Sequence, residues 1–307
     1  MAEAVRQAMF NIRGLKRNVT ERLGWSFWLP LLWLLLVFAC AISAHWWILP
    51  PIDQVDWQNQ ASPLGTESLV SIGERGTDGE GHFIHLLGTD SVGRDILTRL
   101  LFGARTSLTI GFFSALIGMV IGSWFGMIAG YYKGRAETFI MGAMDTILAF
   151  PNLVLLLVVT YLVGANLTNI TLVLGGLTVP AFCRVARANT LRFAELEFVQ
   201  AARACGTRDS MIILREILPN VLIPVSVYAL LVVAYLIIIE GGLGFLGLSV
   251  PAPTPSWGGM IAEGYGVLKE APHVSLIPML AMFMTILSFN VLGDRLRSLT
   301  DVRESRL

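Results

Sequence analysis

Six stretches of this chain carry no Asp, Glu, Lys or Arg and are long enough to cross a bilayer core as helices: residues 25–49, 107–130, 146–163, 167–183, 221–239 and 274–293. Between them the polar residues gather into two longer segments. The first, 50–106, changes character halfway. Its early part is rich in Pro, Gly, Gln and acidic residues and reads as an irregular loop. Its later part, HLLGTDSVGRDILTRLLFGARTS, repeats Ile96, Leu97, Leu100 and Leu101 at helical spacing, with Asp95 and Arg99 four apart. That pattern predicts an amphipathic helix lying at the membrane surface, either as a structural lid or as a gate.

The second polar segment, about 184–220, ends in an arginine-bearing island, QAARACGTRDSMIILREILPN (200–220). Ala201, Ala202 and Ala204 favour a short helix, Gly206 can end it, and Asp209 or Ser210 can cap a second helix carrying Met211, Ile212, Ile213 and Leu214. A helix, a turn and a helix with an apolar face, placed between two spans, suits the docking of a soluble partner.

Composition fixes the broad class. Hydrophobic residues make up 54% and charged residues 14%, with a mean hydropathy of +0.66, whereas soluble domains carry about 25% charged residues. The chain therefore reads as a polytopic membrane protein. Small residues at Ala41 to Ala44 resemble a signal-peptide cleavage site, but the apolar run before them is too long for a signal peptide, so a retained anchor is expected. The net charge of zero conceals an asymmetry. Of 22 basic residues, 17 fall before the first run, at Lys133 and Arg135, between Arg184 and Arg215, or after residue 293. The other side keeps only Arg75, Arg94, Arg99, Arg105 and Lys269. By the positive-inside rule both ends and the island face the cytoplasm. No nucleic-acid partner is expected. Cys40, Cys183 and Cys205 have no metal-ligand spacing and suggest neither a disulfide framework nor a zinc site.

Within the island, Gln200-Ala201-Ala202, then Gly206, then Ile217-Leu218-Pro219 resemble the cytoplasmic EAA signature of binding-protein-dependent ABC importer permeases. Gln200 stands where that family usually has glutamate, keeping the hydrogen-bonding capacity and losing the charge. Further along, HLLGTDSVGRDILTRLLFGAR, GYYKGRAETFIMGAMDTILAFP, GFLGLSVPAPTPSWGGMI and NVLGDRLRSLTD are similar to the C-type permease of dipeptide and oligopeptide ABC importers. The likeness extends over roughly residues 85–302.

The resemblance implies an all-α, six-span type I ABC importer permease of the cytoplasmic membrane with a cytoplasmic EAA coupling helix. Its parts would be a cytoplasmic segment 1–24, a first span 25–49, an extracytoplasmic loop and amphipathic helix 50–106, a core 107–293 of five spans, and a cytoplasmic tail 294–307. It implies as partners a second, B-type permease, two ATPase subunits that hold ATP and Mg, an extracytoplasmic peptide-binding protein, and membrane lipid. It also implies that Gln200, Ala201, Ala202, Gly206, Asp209, Ile212, Leu218 and Pro219 form the ATPase-coupling element. The substrate would be a di- or oligopeptide, or, in a same-family alternative, nickel or another small solute.

Other candidate chemistry is sparse. Gly242-Leu243-Gly244-Phe245-Leu246-Gly247 matches GxGxxG but follows a span rather than a strand, so it reads as a glycine-rich turn and not a nucleotide site. Trp257, after a Pro-rich extended segment, is expected as an interfacial anchor. His82 and His85 would share a face on a helix, with no third ligand evident. Asp145 and Glu240 are expected as solvated or capped carboxylates near the membrane surfaces. None of the three lysines, Lys16, Lys133 and Lys269, sits in a phosphate loop, so no ATPase or other catalytic site is expected in this chain. Without HExxH or paired ionisable groups at mid-depth, an intramembrane enzyme and a lone secondary transporter are the weaker alternatives.

Overall fold

The computed structural model describes residues 24–46, 49–71 and 80–304. The basic N-terminal segment, Arg75, Arg306 and the His82 side chain lie outside what is described. The first apolar run forms α1, Gly24–Ser43, which packs Leu34, Val37 and Ala41 inward and leaves Trp25, Leu29, Leu32 and Leu36 exposed. The helix is shorter than the run that predicted it.

The polar segment that follows is not an irregular loop throughout. Strands β1, Thr66–Ser71, and β2, Glu80–His85, pair antiparallel from Thr66↔His85 to Ser71↔Glu80. Next comes α2, Ile96–Tyr132, a single helix that passes through the boundary expected at 106/107. Nothing in the sequence between Leu100 and Thr109 can break it. Its first turns do not lie on a membrane surface, since Ile96 is fully buried and Leu101 nearly so.

The third run is broken. Helices α3, Gly134–Leu148, and α4, Asn152–Val163, meet at 80° around Pro151, which cannot donate to the ladder. Each is too short to cross alone. The next helix, α5, Leu167–Phe193, runs in the same direction as α2: Gly118 lies on Thr178, Gly126 on Cys183 and Gly130 on Thr190. The chain leaves α2 at Tyr132 and begins α5 near the level of Ser114, whose hydroxyl donates to the Thr171 carbonyl at 2.9 Å. That level is about 27 Å back along the bundle. The bent pair must therefore carry the chain back across, which makes it the sixth crossing beside five long apolar helices.

After α5 come α6, Glu197–Ala204, and α7, Asp209–Phe245, whose residues Ile212–Ile217 are π-helical. The second island helix is thus not separate but the start of the fourth long helix. Helix α8, Trp257–Tyr265, folds back against the ends of α2 and α7 nearest the β1–β2 hairpin, and α9, His273–Glu304, runs antiparallel to α7. The ends of α1 and α9 that face the chain termini share the island's end of the bundle, and the hairpin lies at the other.

Glycine makes the central packing. Gly118, Gly122, Gly126 and Gly130 recur every four residues along α2, and a Cβ on any of them would come within 3 Å of α5. Two backbones pressed this closely gain dispersion that no larger residue would allow.

Candidate docking site and hairpin-end lock

The island closes with a glycine cap. Gly206 sits at φ +76°, its N–H donates to Arg203 O at 2.9 Å and the Thr207 N–H to Ala202 O at 3.1 Å, the paired bonds of a Schellman ending. A side chain at Gly206 would meet nothing within 4 Å, so glycine is required here for backbone handedness and not for space. Val199 on α6 and Ile212 and Ile217 on α7 are fully buried and anchor the island to the bundle. The opposite face is open.

The structure distributes the predicted coupling residues unevenly. Gln200, Ala201, Gly206, Asp209 and Pro219 are exposed, Ala202 and Leu218 are half-buried, and Ile212 is wholly inside. Gln200 donates through Nε2 to the Glu195 carbonyl at 3.0 Å, an intramolecular bond within the island itself. Asp209 does not cap its helix. Arg208 holds that position without a side-chain bond, and Asp209 Oδ1 instead accepts from the Tyr131 hydroxyl at 2.6 Å. Arg203 Nε donates to the same hydroxyl at 3.3 Å, with its guanidinium carbon 4.8 Å from the ring centroid. Tyr131 at the end of α2 therefore ties both arms of the island to the glycine-packed helix. Sequence reasoning missed it, and its only signal was an aromatic pair directly after a charge-free run.

Three ion pairs brace the same end: Lys133–Glu195 at 3.1 Å, Arg184–Asp145 at 2.5 Å, and a close Arg187–Glu137 contact. Asp145 is solvated and paired, as a surface carboxylate should be. Exposed Leu196, Phe198, Met211 and Leu214 add apolar area around the island.

At the far end the GTDSVGRD segment builds a lock. Asp90 Oδ1 accepts from the Val92 and Arg94 N–H groups at 2.9 Å, while Oδ2 takes Arg94 Nε at 2.6 Å. Arg94 and Arg99 then both reach Glu263 Oε2 on α8, at 2.6 and 2.8 Å. Gly93, at φ +98°, passes so near Asp56 that a Cβ would overlap its carbonyl. Asp95 caps α2 by accepting from Thr98 N at 2.7 Å and contacts His85 Nδ1 at 2.8 Å. His82 and His85 belong to strand β2 and not to a helix. No cluster of three potential metal ligands occurs among the described residues.

The Asp56 carboxyl lies outside the membrane-spanning helices, before β1. Burial pushes Asp56 up, but hydrogen bonds from the Ser68 and Asn59 side chains and from the Gln58 and Asn59 N–H groups outweigh it and hold the carboxyl below its ordinary 3.8.

Two expectations at this end change. Glu240 is not at a wet surface: it is fully buried and accepts from Ser107 at 2.9 Å and Ser249 at 2.7 Å. Trp257 is not an interfacial anchor. It is 1% exposed, its backbone N–H donates to Ser107 Oγ and its indole N–H to the Leu100 carbonyl, both at 3.2 Å. Within GxGxxG only Gly244 serves contact, lying against the backbone of Gly258 and Gly259, whereas a Cβ at Gly242 would meet nothing within 4 Å and α7 continues past both to Phe245. Only Gly247, at φ +72°, makes the turn.

Comparison with known proteins agrees with this architecture. Residues 122–306 match the family described as "Binding-protein-dependent transport system inner membrane component". The chain is 36% identical over 297 residues to the glutathione transport system permease protein GsiD of Pectobacterium atrosepticum, covering 96% of this chain and 97% of that one. It is 34% identical to GsiD of Shigella dysenteriae serotype 1 over 96% of each chain. Among solved structures, an inward-facing form of the MetNI methionine ABC transporter aligns with a TM-score of 0.53 at 20% identity, over 65% of this chain and 95% of that one. That last likeness concerns the fold alone.

Proposed function

The chain belongs to the family of binding-protein-dependent transport system inner membrane components, a non-catalytic permease of an ABC importer, and from that premise we propose that it passes small peptides, glutathione among them, through the cytoplasmic membrane. Glutathione is itself a tripeptide, so the GsiD relatives and the resemblance to dipeptide and oligopeptide permeases point to one substrate class. In this reading a B-type permease completes the pathway. Two ATPases holding ATP and Mg dock on the exposed face of Gln200, Ala201, Gly206 and Asp209, and a binding protein delivers substrate at the hairpin end. The island end is cytoplasmic.

The observation that carries the coupling role is the Tyr131 link, since a displacement of the island reaches α2 directly through bonds at 2.6 and 3.3 Å. Because α2 and α5 are locked by the glycine stripe, both would move together. ATP-driven closure of the ATPases thus rocks the pair and exposes the pathway alternately to each side.

The test is purification from the native membrane in mild detergent, identification of co-purifying proteins, and ATP hydrolysis with glutathione, dipeptides, longer peptides and free amino acids. Recovery of ATPases with hydrolysis stimulated by glutathione or short peptides is the expected result. Stimulation by a non-peptide solute alone would overturn the substrate class, and a chain recovered without an ATPase would overturn the role.

A further inference from the structure

A groove between α1 and α2, enclosing about 570 Å³, lies toward the hairpin end of the bundle and takes no part in the docking site or the lock. Its floor is apolar, with Ala41, Leu108, Phe112 and Phe113, and Arg105 and Trp46 also line it. Arg105 is exposed, and among the described residues it has no carboxylate or other acceptor as a partner. It lies nine residues into α2, about 14 Å from the helix start.

An arginine on a membrane-facing helix is costly unless its charge is met. Here the surrounding surface is hydrocarbon-like: Ile42 is 67% exposed, Trp46 77%, and Phe112 and Phe113 nearly half exposed. No acceptor among the described residues meets it, and one supplied by the lipid would bring apolar chains with it. Trp46 marks the level at which tryptophans meet lipid headgroups. From Arg105 to Phe113 the groove descends about 12 Å along α2, the direction an acyl chain takes from its headgroup.

We propose that this groove is a binding site for an anionic glycerophospholipid, with the phosphate paired to Arg105 and an acyl chain laid over Phe112 and Phe113. Thr109, one turn below Arg105, supplies a hydroxyl to the glycerol ester region. This site does not depend on the transported substrate or on the ATPases.

The test uses the full-length protein in nanodiscs or mild detergent, with retained lipid counted by native mass spectrometry against phosphatidylglycerol and phosphatidylcholine. Wild type is expected to retain phosphatidylglycerol preferentially. Arg105→Gln should lower that retention about five-fold, the equivalent of about 1 kcal/mol for one basic residue at an anionic surface. Arg105→Lys should restore most of it, which separates loss of charge from loss of fold, and Arg135→Gln at the other end of the bundle should change nothing. Equal retention by Arg105→Gln and wild type would overturn the proposal. So would equal retention of the two lipids, or displacement of phosphatidylglycerol by millimolar inorganic phosphate, which would make this a free-anion site.

Discussion

Replacing Gly122 by alanine puts a methyl group where the structure has none to spare. The added Cβ would lie 2.5 Å from the Val179 carbonyl oxygen, 2.7 Å from Phe182 Cβ and 3.0 Å from the Cys183 nitrogen. All but one of these are backbone atoms, and none is at the end of a rotatable side chain, so the helices must part by about 1 Å to reach an ordinary 3.5 Å contact. A gap of that size forfeits roughly a third of each ~0.15 kcal/mol contact, and the stripe with its partners makes on the order of fifty of them, which gives about 2.5 kcal/mol. Alanine's better helix propensity returns about 0.8 kcal/mol. The net loss is about 1.7 kcal/mol, read as a fall of about 3 °C in the unfolding midpoint of the detergent-solubilised protein. The matched control is Gly142→Ala on α3, where a Cβ meets nothing within 4 Å and only the propensity gain should appear. If Gly122→Ala melts as high as Gly142→Ala, the close α2–α5 contact is not what holds these helices together.

Tyr131→Phe removes one hydroxyl shared by Asp209 and Arg203; it should leave insertion and stability within about 1.5 kcal/mol of wild type but lower the transport achieved per ATP hydrolysed, measured in proteoliposomes. Gly206→Ala should destabilise the island by about 1 kcal/mol through backbone handedness alone, visible as faster amide exchange at residues 200–208 with no steric effect elsewhere. Glu263→Gln leaves the buried Arg99 with only Asp90 as a carboxylate partner, and should speed limited proteolysis at the hairpin end while the opposite end stays protected. Because the folded-state value of Asp56 is depressed, its contribution is complete above the unfolded value near 3.8 and is lost as pH falls through the folded value. Acidification below about pH 4 should therefore loosen the Asp56–Gly93 contact in wild type and much less in Asp56→Asn, as followed by exchange of the residue-56 N–H that donates to the Gly93 carbonyl.

Much of this architecture is written in the order of charge-free runs. Their lengths mark five of the crossings, and the glycine of the island lies where a left-handed residue is needed. The misreadings share a physical cause, which is that a one-dimensional pattern cannot say what covers an element. Ile96 and Leu101 recur as an amphipathic helix would, yet both are buried, Ile96 against Met260 of α8 and Ala271 and Val274 beyond it. Trp257 follows a Pro-rich stretch and looks interfacial, but α8 folds back and buries it. Glu240 looks like a span-end carboxylate until Ser107 and Ser249 arrive from 133 and 9 residues away to satisfy it. The glycine stripe, by contrast, was readable as GxxxGxxxGxxxG and was passed over. Of the coupling residues, the exposed ones follow from polarity, while the Tyr131–Asp209 bond joins positions 78 residues apart and has no local signature.

The unbroken course of α2 makes the molecule sensitive to phase. One helix carries the lock at Arg99, the contact with Glu240 at Ser107, the glycine stripe, and the tie to the island at Tyr131, all on faces fixed relative to one another over about 55 Å. A single residue inserted between Gly111 and Gly118 would scarcely alter hydropathy or length. It would turn everything beyond it by about 100° and leave Gly118 to Gly130 facing away from α5. A change in residue count along this helix should therefore cost more than an exchange of residue type on its exposed face, so variation among functional relatives should spare the spacing from Arg99 to Tyr131 before it spares the residues between.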